Sequence, residues 1–308
     1  MTVRSKQLIL SLLFFLPRDR KIAFERRLRG KREYRKLQRA DWVFISWAKS
    51  GRTWFRVMLS HFYHTRFGLP EHELLGFDNL YRKNPSVPRV LFTHNNYLRD
   101  YLGDWDTLNH FRDKKVVLLV RDPRDVAVSQ FFQWKYRMRP VKKMLNEYPA
   151  HGEDISILDF VMDAKVGVPR IIDYLNGLAV GLRELEDILL IRYEDMRADP
   201  AKTMKQVLEF LGTPGTDDEI RGAVDFAAYE NMKKMEQENF FQSSGIRVKP
   251  GDPANPQSFK VRRAKVGGYR DDFEEDQIKL IDAMVDDQLD PVFGYGSNDS
   301  SVDSHDGI

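Results

Sequence analysis

One stretch limits the possible folds more than any other: residues 42–60, WVFISWAKSGRTWFRVMLS. Val43, Phe44 and Ile45 form a short apolar run that reads as a buried strand. Lys49, Ser50, Gly51, Arg52 and Thr53 follow as a small polar turn. Trp54, Met58 and Phe62 then recur four apart, as do Phe55 and Leu59, which is helical spacing. A strand, a tight turn and a helix N-terminus make an anion site. The first helical amides lack intrahelical partners, and the macrodipole is positive there. Gly51 lets a bulky anion approach the backbone, Lys49 adds a full charge, and Ser50 and Thr53 add hydroxyl donors. Taken by itself, the segment is equally an ordinary β-turn-α connection. It is not the usual ATP or GTP loop, which needs a lysine after its second glycine. Here Lys49 precedes Gly51, and no glycine lies upstream in the turn.

The chain has 308 residues, 42% hydrophobic, enough for one large domain or two small ones. It has no cysteine, which excludes disulfides, thiolate metal sites and cysteine nucleophiles. The net charge of +3 is unevenly placed. Residues 1–40 hold thirteen Lys/Arg against three Asp/Glu, a balance of +10, so the remainder carries −7. The positive field therefore belongs to an N-terminal arm. Within that arm, residues 8–16 (LILSLLFFL) are apolar but too short to span a bilayer, which takes about 20 residues. No small-x-small cleavage site follows them. They read either as a helix docked on the core or as an interfacial anchor for an anionic membrane surface. The basic run has no further motif that would point to nucleic acid.

Further strands are expected at 89–94, ending in His94, at 115–120 (KVVLLV) and at 187–193. The continuous apolar run of 115–120 suits a parallel strand covered on both faces. Asp122 and Pro123 make an N-cap and first-turn pair for a helix to about residue 138. Residues 155–185 and 200–211 read as mainly helical. Strands alternating with helices predict an α/β fold with a central parallel sheet of four or five strands flanked by helices. Residues 248–258 hold three prolines and a glycine, a loop and candidate lid. The expected organisation is an arm over 1–40, one domain over 41–295 and a Ser/Asp-rich disordered tail over 296–308.

Five segments then match one family in chain order. Lys49-Ser50-Gly51-Arg52-Thr53-Trp54 after a strand resembles the 5′-phosphosulfate loop of sulfotransferases that use PAPS (3′-phosphoadenosine 5′-phosphosulfate). His94 falls where the family carries its catalytic base; the lysine usual two residues earlier is Phe92 here. Residues 121–129, RDPRDVAVS, resemble the 3′-phosphate motif, with Arg121 leaving a strand end and Ser129 on the next helix. A phosphate between them would meet a fork of donors and a hydroxyl. Tyr193, in IRYEDM, resembles the tyrosine beside the adenine. Residues 262–270, RRAKVGGYR, resemble the C-terminal segment that closes on the 3′-phosphate, with Arg263 for lysine and Ala264 for glycine.

The resemblance covers about 41–275 and implies a P-loop-like three-layer sandwich. It implies sulfuryl transfer from PAPS to an acceptor hydroxyl or, less readily, an amine, leaving PAP, with no metal required. His94 would take the acceptor proton and Lys49 would stabilise the leaving oxygen. Trp54 and Tyr193 would flank the adenine, and Arg121, Ser129 and Arg262 would read the 3′-phosphate. Arg52 would supply the cation missing at Phe92. Aromatic residues within 76–112, 131–155 and 229–258, among them Tyr97, Trp134 and Tyr136, would line the acceptor pocket. The family's short C-terminal dimerisation signature is not seen after Tyr269. With the basic arm at residues 1–36, a cytoplasmic protein peripheral to the membrane is expected, with small-molecule or lipid-linked acceptors. Two rivals remain: a non-catalytic nucleotide-fold scaffold at a membrane surface, which Phe92 and Ala264 favour, and a nucleotide kinase, which the loop order disfavours.

Overall fold

The structure is a computed structural model describing residues 17–103, 108–241 and 248–296. The apolar run 8–16 and the tail from 297 lie outside the described residues. The first half of the chain runs α1 (Arg18–Leu37), β1 (Trp42–Ser46), α2 (Arg52–Phe67), β2 (Val90–Thr93), α3 (Asn96–Leu102), β3 (Lys115–Val120), α4 (Pro123–Tyr136) and α5 (Pro140–Leu145). The second half runs α6 (Ile157–Met162), α7 (Val168–Glu184), β4 (Ile188–Arg192), α8 (Tyr193–Ala198), α9 (Pro200–Phe210), α10 (Asp217–Phe226), α11 (Tyr229–Gln237) and α12 (Glu275–Gln288).

The four strands form one parallel sheet in the order β2-β1-β3-β4. Strand side chains alternate between faces, so the apolar runs 42–45 of β1 and 116–120 of β3 must be covered twice. Val43 and Ile45 join Leu91, Val116 and Leu118 in a core shared with α4, α7 and α12. Trp42 and Phe44 join Val90, Val117 and Leu119 in a second core under α2, α9 and α10. The result is a three-layer α/β sandwich, as the alternation of strands and helices predicts.

The chain passes from β1 outward to β2, then back across β1 to β3. Such a reversal opens a crevice at the carboxyl ends of the strands, where α/β proteins place their sites. The loops after β1, β2, β3 and β4 converge there. Trp134 is an exception to the expected acceptor lining: it is 1% exposed and packs with Phe131 and Phe160 in a separate small core. Its indole donates to the Pro149 carbonyl, so both its apolar body and its N–H are satisfied away from the crevice.

Residues 18–37 of the basic segment form a helix laid on the domain. Gly30 makes the crossing possible: a Cβ there would lie 2.0 Å from the Tyr97 carbonyl oxygen in α3. Arg26 clamps the helix by donating to Asp100 at 2.6 Å and to the Leu145 carbonyl at 2.7 Å. Among the described residues, no helix is long and apolar enough to cross a membrane.

Candidate functional site

The loop after β1 is bent by two left-handed residues, Lys49 at φ 74° and Gly51 at φ 96°. Only glycine fits position 51, because an added Cβ would meet the Tyr193 ring at 2.5 Å. Lysine at positive φ costs stability in isolation, and such strain clusters at functional sites. Gly51 caps α2, whose first amides then face the crevice.

Lys49, Gly51, Arg52, Thr53, Trp54, His94, Arg121, Ser129, Tyr193, Arg262, Arg263 and Ala264 all line one cavity of about 300 Å³. Ser50 is the predicted residue that does not; it is 1% exposed, beneath the loop. Ten Lys/Arg side chains line this cavity against a single carboxylate, Asp125. Such an excess of cations favours a polyanion.

Asp125 is already engaged. Its oxygens accept the backbone N–H groups of Gly267 at 3.0 Å and Tyr269 at 2.9 Å, and Arg121 Nη2 donates to it at 3.1 Å. One buried carboxylate thus fastens the C-terminal segment to the N-terminus of α4. Arg121 also donates to the Lys49 and Lys265 carbonyls and lies 4.3 Å over the Tyr193 ring. Its Nε is buried without a hydrogen-bond partner among the described residues, a donor left over for a ligand. Trp54 donates to the Ala227 carbonyl at 2.8 Å and meets Tyr193 edge to face at 6.2 Å. The 248–258 loop closes on itself through Ser258 and Asp252 and is tied to Arg137. The cavity wall is built by residues 260–265 instead.

Crowding of cations depresses their proton affinity. Burial, then Arg137 and Arg121, bring Lys49 down to about 7. Burial, then Lys49 and Arg137, hold Lys260 well below the usual lysine range. Burial, then Arg263, lower Arg262 to about 10. Lys260 belongs to none of the sequence motifs. Its backbone N–H donates to Glu236 at 2.7 Å, and Val261 does the same at 3.0 Å. The signal available was its nearness to the C-terminal basic motif, two residues before Arg262.

His94 lies at the junction. Its Nδ1 is 2.6 Å from the Ser46 carbonyl, and its Nε2 is 2.6 Å from Arg52 Nη2. Guanidinium only donates and a carbonyl only accepts, so the ring must be neutral, protonated at Nδ1. Burial and the Arg52 charge, in that order, hold its pKa well below the histidine norm. Arg52 therefore rests on the imidazole, and Lys260 stands with Lys49 as a further lysine of the cavity. Phe92 faces elsewhere, packed on Phe44 with Arg56 4.4 Å over its ring. Ala264 adopts φ 50°, the left-handed conformation that glycine takes easily, so the substitution preserves the backbone path. Among the described residues, no group of His, Asp or Glu is placed to hold a metal ion.

Comparison with known proteins points one way. A sequence model of the sulfotransferase domain matches residues 39–292. Sulfotransferase 2A6 of Rattus norvegicus is 25% identical over 70% of this chain and 68% of its own length. Amine sulfotransferase of Oryctolagus cuniculus is 25% identical over 92% of this chain and 94% of its own. Two solved structures share the fold. A mouse sulfotransferase with PAP has TM-score 0.54 and 20% identity, covering 81% of this chain and 84% of that one. Retinol dehydratase with retinol and PAP has TM-score 0.57 and 17% identity, covering 81% of each.

Proposed function

Because the chain belongs to the sulfotransferase family, whose cofactor is PAPS, we propose that it sulfates the hydroxyl of a small acceptor with His94 as general base. The observation that carries this reading is the cavity lined by ten Lys/Arg side chains and one carboxylate, already engaged, with a neutral imidazole at its rim. The residues fit the cofactor: the donor set is cationic, and Arg121 Nε is a buried donor without a partner among the described residues. Bound PAPS supplies an activated sulfuryl group with PAP as its leaving group.

The protein groups divide the work. Lys49 and the α2 amides hold the 5′ end, and Lys49 meets the negative charge that grows on the bridging oxygen. Arg121, Ser129 and Arg262, with Arg263 and the Ala264 amide beside them, hold the 3′-phosphate. Trp54 and Tyr193 flank the adenine. Lys260 adds the cation that the second strand lacks at Phe92. His94 Nε2 would take the acceptor's proton as the sulfuryl group supplied by bound PAPS is transferred to the acceptor oxygen and PAP departs. This requires Arg52 to move off Nε2, toward the anion that fills the cavity. A loose transfer of this kind depends mainly on positioning and charge.

His94→Ala with labelled PAPS tests the assignment. Transfer should fall by roughly 10²–10⁴ while PAP binding persists. Near-full activity in this variant would move the proton to another group. We also propose attachment to an anionic cytoplasmic membrane face through the basic arm, a reading supported by the cations on the exposed side of α1.

A further inference from the structure

A second cavity, of about 460 Å³, meets the first at His94; Trp47, Ala48, Gln133 and Lys142 line both. If His94 is the base, this second cavity is where the acceptor lies, and its assignment rests on that reading. Aromatic rings are present in its wall, at Trp47, Tyr97, Tyr148 and Tyr174. Its charge, however, is lopsided. Six cations line it, Arg26, Arg29, Arg99, Lys142, Lys165 and Arg170, against Glu147 and Asp173.

Arg26 is paired with Asp100 at 2.6 Å and Arg29 with Glu25 at 2.7 Å. Arg99 is 5% exposed, 5.7 Å from the Tyr174 ring. Lys165 and Arg170 make no ion pair among the described residues. Glu147 and Asp173 are solvent-exposed, as are Lys142 and Lys165, whereas Arg170 is half-buried. Tyr174 is 5% exposed, and its hydroxyl is buried with no hydrogen-bond partner among the described residues. Burial keeps that phenol protonated, so it remains a donor.

An apolar acceptor would desolvate these cations and leave the buried hydroxyl unmatched, at a cost. An anionic acceptor would meet both demands with charge-assisted hydrogen bonds. We propose that the acceptor is a small hydroxylated anion, its acidic group held by Arg170, Lys165 and the Tyr174 hydroxyl while its own hydroxyl lies at His94. The aromatic wall would cover a ring between the two ends.

The test uses three phenols matched in size: 4-hydroxyphenylacetate, 4-hydroxyphenylacetamide and tyramine, with charges −1, 0 and +1. Calorimetry on the PAP-loaded full chain reads preference without turnover. The carboxylate should bind at least roughly tenfold more tightly than the amide, and tyramine most weakly. The advantage should shrink in high salt. Arg170→Gln should bring the carboxylate-to-amide ratio to within about threefold, and Lys165→Gln offers the same readout if that variant fails to fold. A carboxylate that binds no better than the amide, absence of binding by both included, overturns the proposal. Turnover with labelled PAPS is scored separately. Anion preference without transfer to any phenol would count against the sulfuryl-transfer reading and leave the anion site standing.

Discussion

Arg52 and His94 are in direct contact, and the proposed base can act only once that contact is broken. The guanidinium occupies Nε2 at 2.6 Å and, after burial, is the next cause of the depressed imidazole pKa. A base works only when unprotonated, so activity falls on the acid side of its pKa. Removing the cation raises that pKa. Arg52→Thr should therefore move the acid limb of kcat/KM to higher pH, and an unmoved limb would uncouple the two side chains. Lys49 carries the opposite linkage. At about 7 in the free protein it is mostly neutral at pH 8, whereas phosphates beside it favour the cation. PAP binding at pH 8 should take up close to one proton at Lys49, with Lys260 adding to it, and affinity should weaken as pH rises above 7. Calorimetry in two buffers of different ionisation heat measures this. In Lys49→Met the uptake at pH 8 should be smaller by close to one proton; an unchanged uptake would mean that Lys49 is already charged in the free protein. In the 3′-phosphate set, Arg121→Ala removes a charge-assisted contact of about 1.5–3 kcal/mol. PAP should weaken roughly ten- to a hundredfold and adenosine 5′-phosphosulfate little; equal weakening of both refutes the assignment.

Elements matter here through how they are fastened. Helix α1 crosses α3 at Gly30 with no room for a methyl group. Gly30→Ala should destabilise the protein by about 1–3 kcal/mol, since overpacked contacts must be relieved by backbone shifts. It should also disturb acceptor binding more than PAP binding, because Arg26 and Arg29 of the same helix line the second cavity. A melting temperature equal to the parent's would mean that α1 is loosely held. The Asp125 link between α4 and the C-terminal segment is the other fastening. It explains how residues more than 130 positions apart in sequence, Arg121 and Arg262, come to share a wall.

At the scale of the whole molecule, the docked α1 leaves a basic stripe facing out. Arg20, Arg27, Lys31 and Arg35 are exposed, and Phe24 among them is 38% exposed. Their spacing of seven and four places them on one side of the helix. Each cation near an anionic leaflet contributes about 1 kcal/mol, enough in sum to overcome repulsion from the acidic remainder. The intact chain should sediment with anionic but not zwitterionic vesicles and be released by high salt. Replacing Arg27, Lys31 and Arg35 with Gln should weaken the attachment. A chain that stays in the supernatant with anionic vesicles at low salt is not a membrane-surface protein through this arm.

The strands, the order of the motifs and the gathering of all the predicted site residues but Ser50 at one cavity were legible in the order of residues alone. Those depend on local pattern: an apolar run beside a glycine turn, an Asp-Pro helix start, an arginine at a strand end. Each forms its structure within a few residues, so spacing along the chain is enough to read it. Packing settled whatever depends on distant residues meeting. It buried Ser50, set Arg52 on His94 and carried Trp134 into a core with Phe160. It also brought Lys260 to Lys49, across more than 200 positions, and turned α1 into a wall of the second cavity. No local pattern encodes these meetings, because burial and charge compensation are properties of the packed chain and act between whichever residues the fold makes neighbours.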